Sequence, residues 1–112
     1  MSNNWKPISL SQISSDIAEE VLHMDDNELR LWKVISVPLE KWDGGEYGQL
    51  GGGFWVAATI GNSVFWYNDI EDGWNASTWN RYGKLNELYC NQSNLRDSLY
   101  DLKMFLIGNS IK

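Results

Sequence analysis

The chain has 112 residues, 43% hydrophobic and 21% charged, a length and balance that fit one globular domain spanning residues 1–112 with a core of its own. A single cysteine, Cys90, excludes an internal disulfide and a four-thiolate zinc site. Fifteen acidic against nine basic side chains, a net charge of -6, oppose direct binding to nucleic acid or to anionic lipid.

Met1 to Pro7 lack the basic cluster and apolar run of a signal peptide, and no stretch approaches the ~20 apolar residues of a membrane span, so the expected compartment is the cytoplasm. The first regular element announces itself through Ser9 and Gln12, which have the spacing of a capping box. Ile8 and Ile13 stand where a hydrophobic staple would fix the entry of the chain. Leu10, Ile13, Ile17 and Val21 then recur at helical spacing, which predicts a helix ending near His23-Met24. Residues 29–37 alternate Leu31, Lys33, Ile35 and Val37 with Arg30, Trp32, Val34 and Ser36. The β-branched content predicts a strand there, closed by Pro38.

Six glycines in residues 43–53 predict an irregular loop, because glycine loses the most entropy on ordering. Two strands follow, 54–60 and 63–69, joined by Gly61-Asn62 in a two-residue turn that needs positive φ. With Ile60 opposite Ser63, strict pairing places Val56 opposite Tyr67 and brings Trp55 near Trp66. Both faces of this hairpin are largely apolar, which predicts a central position in the sheet with cover on each side. After the polar turn Ile70-Glu71-Asp72-Gly73, residues 74–82 and 84–89 read as two further strands. The last helix is expected from Ser93, or one or two residues earlier, with Leu95, Leu99, Leu102 and Leu106 on one face and Gly108-Asn109 as the stop. The expected fold is α+β, an antiparallel sheet of four to five strands with an N-terminal and a C-terminal helix.

No catalytic signature emerges. His23 and Cys90 are the sole candidates for an imidazole–thiol pair, and a lone cysteine usually packs as a small hydrophobe. The glycine segment lacks the Lys-Ser/Thr and the following helix of a phosphate loop. Asp69, Glu71 and Asp72 do not reproduce the alternating ligands of a calcium loop, and the twelfth position counted from Asp69 is Asn80 instead of glutamate. No metal, cofactor or catalytic residue is therefore assigned. The Asn75-Ala76-Ser77 triplet matches a glycosylation acceptor that has no consequence without secretion.

The aromatic content stands out: seven tryptophans, five tyrosines and three phenylalanines. Tryptophan is a frequent interface anchor. Gly53-Phe54-Trp55-Val56-Ala57-Ala58, the segment from Phe65 to Asn75 and Tyr89-Cys90-Asn91-Gln92 together resemble a group of small bacterial proteins. That group overlaps with immunity proteins of polymorphic-toxin and contact-dependent growth inhibition systems. The likeness spans residues 50–95, about two-fifths of the chain. It implies an acidic, non-catalytic protein that neutralises a cognate toxin domain, such as a nuclease, by covering its basic surface. The contact candidates are Glu46 and Tyr47 in the glycine segment, with Asp69, Glu71, Asp72 and Trp74 at the hairpin end. The alternative is a small-molecule or carbohydrate-binding module that uses ring faces of Trp74 and Trp79 with Asn75 and Asn80 as orienting groups.

Overall fold

A computed structural model describes residues 6–102. Helix α1 (Leu10–Leu22) begins where the sequence says: Ser9 Oγ accepts the Gln12 main-chain N–H at 3.1 Å. The reciprocal half of the box is not made, since the Gln12 side chain donates to Asp16 instead. Ile8 and Ile13 lie in one apolar cluster, as a staple requires.

The segment expected as a strand over 29–37 is instead helix α2 (Asp26–Ile35). Its start is a complete capping box, with Asp25 Oδ1 accepting from Glu28 N at 2.7 Å and Glu28 Oε1 accepting from Asp25 N at 2.9 Å. The polar run that reads as a loop is thus the helix's own start signal. Buried Glu28, Trp32 and Ile35 follow helical, not alternating, spacing.

Pro38 does not end a strand; it sits inside β1 (Ser36–Trp42). β1 is an edge strand whose register against β2 (Phe54–Ile60) shifts between Ser36 and Glu40, and both circumstances tolerate a residue without an N–H. β3 (Ser63–Asn68) and β4 (Gly73–Thr78) complete one antiparallel sheet in the order β1-β2-β3-β4. Gly61, at φ 56°, makes the expected hairpin turn between β2 and β3. The central position expected for that hairpin is the observed one.

Its register is not the expected one throughout. Ile60, Thr59 and Ala58 face Ser63, Val64 and Phe65, but a bulge at Ala57 then sets Val56 opposite Trp66. The extra residue exchanges the faces of half a strand. Phe54 and Val56 join Val64 and Trp66 in one core cluster, while Ala57 and Ala58 lie with Phe65 in the other. Trp55 packs with this second group, so the expected Trp55–Trp66 pairing does not form.

The helices cover one face, where Ile13, Trp32, Ile35, Leu95 and Leu99 pack on Ala57, Ala58, Phe65 and Trp74. The other face carries Trp42, Phe54, Val56, Val64, Trp66 and Leu85, roofed by Tyr47, Ile70 and Trp79 from the connecting segments. Helix α3 starts at 95, capped by Asn94 Oδ1 accepting from Asp97 N at 2.8 Å, and runs to 102, the last described residue. Leu106 and Gly108-Asn109 lie outside the described residues. Glu20 and Glu28 tie the helices together: Glu20 Oε2 accepts the Leu95 N–H, and Glu28 Oε1 pairs with Arg96 Nη2 at 3.1 Å.

No fifth strand forms among the described residues. Beyond Thr78 the chain returns as a strap, 79–93, alongside and beneath β4. Asn86 N donates to Thr78 O at 3.0 Å, but Glu87 offers its carboxylate, not its carbonyl, to Thr78 N, and its carbonyl accepts from Ser77 Oγ. Those side-chain bonds replace the ladder that a strand over 84–89 would need.

Candidate functional site

Antiparallel order carries both acidic segments to one end of the sheet. β1 and β3 finish there, and β2 and β4 begin there, so the β1–β2 and β3–β4 connections are neighbours. The glycine segment is not irregular throughout: Gly45–Gly51 form a 3₁₀ helix, opened by Asp43 Oδ1 accepting from Gly45 N at 2.8 Å. Gly44 and Gly48 are required by proximity. A Cβ at either would stand 2.6–2.7 Å from the Phe54 ring.

Tyr47, half-buried, lays its ring 5.7 Å from that of Phe54 and joins its hydroxyl to the second loop. Asn68 Nδ2 donates to Tyr47 Oη at 3.1 Å and to the Tyr89 carbonyl at 3.0 Å. The same amide's Oδ1 accepts from Ile70 N and Glu71 N at 3.0 and 3.1 Å, which shapes the turn. Asp72 completes the turn in the left-handed region at φ 57°. Its carboxylate accepts from the Tyr67 hydroxyl at 3.4 Å. Burial and then the Asp72 charge push the Tyr67 hydroxyl up to about 12. Burial, followed by the hydrogen bond with Cys90, also raises Tyr47 above its ordinary value.

The six contact candidates separate on this geometry. Glu46 and Asp72 are exposed, and Glu71 and Tyr47 are half-buried, all at the same end. Asp69 and Trp74 differ from the other four, because the fold buries them. Asp69 is 9% exposed and its Oδ2 accepts the Ile8 N–H at 2.8 Å, which fastens the entry of α1 to the sheet. Trp74 is 5% exposed, packed 5.3 Å from the Tyr67 ring in the helix-side core. Neither presents a face to a partner at this end. Asn68, which organises both loops, has no signature in the sequence: its role exists only once residues 21 positions apart in either direction meet.

The remaining chemistry is sparse. Cys90 is exposed, with Sγ 3.4 Å from Tyr47 Oη; Tyr47 roofs the face opposite the helices, whereas His23 caps α1 on the helix side. The two do not form a pair. Among the described residues no three of His, Cys, Asp or Glu converge as metal ligands. No helix there is long and apolar enough to cross a membrane.

Two depressions border the candidate residues. One of about 620 Å³ lies over the 3₁₀ helix, bordered by Lys41, Asp43, Glu46 and Gln49, with the Lys41 ammonium donating to the Gly51 carbonyl. The other, about 390 Å³, lies at the outer edge of β4 and includes Trp74 and Asn75 in its lining. Trp79 belongs to the opposite face, against Trp42 at 5.6 Å, so the two tryptophans of the carbohydrate reading do not share a site. Asn75 is 1% exposed and bonded to Gly73 O and to both main-chain groups of Asn91, which also buries the glycosylation triplet's acceptor. Comparison with protein-family models, curated proteins and solved structures finds no match to this chain.

Proposed function

We propose that this chain is a non-catalytic protein-binding protein of the immunity type, which neutralises a toxin domain by setting the acidic end of its sheet against a basic surface. The observation that carries this reading is the convergence of the two acidic loops. Glu46 on one and Glu71 and Asp72 on the other stand at the same sheet end, held together by the Asn68–Tyr47 hydrogen bond. A rigid end with carboxylates at fixed positions accelerates encounter with a cationic partner and excludes partners of like charge. Tyr47, half-exposed between the carboxylates, supplies the amphipathic ring that interface centres favour.

The test is the association rate with an inactive form of a toxin domain encoded beside this chain, followed over ionic strength. Joint Glu71→Lys and Asp72→Lys substitution is expected to slow association about tenfold or more at low salt. Equal rates for the two proteins would remove this end from the interface. The carbohydrate-binding alternative predicts saturable quenching of tryptophan fluorescence by a simple sugar with no protein partner present.

A further inference from the structure

The outer edge of β4 has one gap in its hydrogen bonding. In the register Tyr67↔Trp74, Phe65↔Ala76 and Ser63↔Thr78, the β4 members direct their main-chain groups away from β3. Trp74 N donates outward to Ser93 O at 2.8 Å; Thr78 N donates outward to the Glu87 carboxylate at 2.7 Å, and Thr78 O accepts from Asn86 N. Ala76 lies midway between them. By the same alternation its N–H and C=O point outward, and no described residue bonds either one. The strap has dipped beneath the sheet at this point, where Asn68 holds the Tyr89 carbonyl and Asn75 holds Asn91.

Into this gap opens the pocket of about 390 Å³. Phe65 and Trp74 form its apolar floor, Tyr89, 45% exposed, stands on the strap side, and Ser98 and Asp101 line it from α3. A donor and an acceptor side by side on one residue match a planar group with an adjacent acceptor and donor, which is the edge of a cis amide such as that of a pyrimidine base; the N–H and C=O of a trans amide point apart. The floor and the Tyr89 ring offer apolar and stacking contact to such a planar group. Asp101 and the net charge of -6 select against phosphates and carboxylates. The strap is pinned at Trp74 and at Thr78, a span of ~13 Å at ~3.3 Å per residue, which admits a compact molecule or a chain end in place of a through-running strand.

We propose that the Ala76 gap binds a small uncharged or cationic molecule that carries a cis-amide edge of the nucleobase type. This site is separate from the acidic sheet end and does not depend on the function proposed above.

The test is a titration of the ¹⁵N-labelled full chain, monitored by amide resonances, with uridine in one arm and N-methylacetamide, a single trans amide, in the other, each to about 10 mM, the range of weak fragment binding. Saturable movement of the Ala76 amide is expected with uridine and not with the trans amide. Ala76→Pro removes the outward N–H at an edge position that tolerates proline and is expected to weaken binding about fivefold or more. If that variant does not keep the parent spectrum, Ser98→Phe, which fills the pocket from α3, serves with the same expected loss. Uridine 5′-monophosphate is expected to bind more weakly than uridine. An Ala76 amide that uridine leaves unmoved, equal movement in the trans-amide arm, or undiminished binding by the folded variant overturns the proposal.

Discussion

Asn68 and Tyr47 meet 21 positions apart, and the 3.1 Å bond from the Asn68 amide to the Tyr47 hydroxyl joins the two loops at one end of the sheet. The asparagine is fully buried, and both ends of its side chain are used. Nδ2 serves Tyr47 and Tyr89, while Oδ1 receives two main-chain N–H groups of the next turn. A buried amide so engaged fixes loop geometry through unmet hydrogen bonds, because each group left unpaired costs about 1–3 kcal/mol.

Asn68→Ala is therefore expected to destabilise the fold by about 2–4 kcal/mol in urea denaturation. Hydrogen exchange supplies the local readout. The Ile70 and Glu71 amides lose their acceptor and exchange faster than those of α1, which the substitution does not touch.

Gly73 lies under the strap so closely that a Cβ there would stand 1.9 Å from the Asn91 carbonyl oxygen and 2.4 Å from the Gln92 Cα. The obstacles are main chain on both sides of the contact, so no side-chain rotation relieves them. Gly73→Ala is expected to cost about 2–4 kcal/mol, at or above the usual range for overpacking, and to free the strap. Limited proteolysis within 86–92 reads the second effect. Gly52 provides the control, since its φ is 73° but nothing lies within 4 Å of a Cβ; Gly52→Ala is expected to cost only about 1 kcal/mol.

Glu28 serves two helices with one carboxylate oxygen: Oε1 accepts from Asp25 N and from Arg96 Nη2. Its side chain is 10% exposed and that of Arg96 39%, so solvent screens the pair on one side only. A double-mutant cycle with Glu28→Gln and Arg96→Met is expected to give a coupling of about 1 kcal/mol, at the upper end for partly exposed pairs. Asp25→Ala, which removes the cap but leaves the ion pair, is expected to cost about 1 kcal/mol independently.

Tyr67 holds its proton up to about 12, against an unfolded value near 10, first because it is partly buried and next because Asp72 faces it. A group whose folded value is raised contributes stability that is complete below the unfolded value and is lost as pH rises through the folded one. Stability is thus expected to be level up to pH about 10 and to fall between about 10 and 12. Near-ultraviolet absorbance should show tyrosines that ionise late, and Asp72→Asn should move the Tyr67 step to lower pH.

Elements whose signals close within a few residues can be read from the chain before it folds. The Ser9 cap starts α1 and Gly61-Asn62 turn the central hairpin, each satisfied by neighbours along the chain, while the leucine spacing places α3, whose Leu95 and Leu99 reach the core. The Asp25–Glu28 box was equally local and legible, but a polar run beside β-branched residues favours the strand reading until the reciprocal bonds are seen. The remaining features follow from packing between segments distant along the chain. A hairpin apolar on both faces has no preferred phase of its own, so packing from two sides, not alternation, put the bulge at Ala57 and turned Trp55 away from Trp66. The same holds for the acidic residues. Composition supplies the charge, but only burial separates Asp69 from Asp72, and only strand order brings Glu46 and Glu71 to one end. The strap replaced a fifth strand because Glu87 and Ser77 offered side-chain bonds where a ladder would have run, a competition settled by contacts ten residues apart.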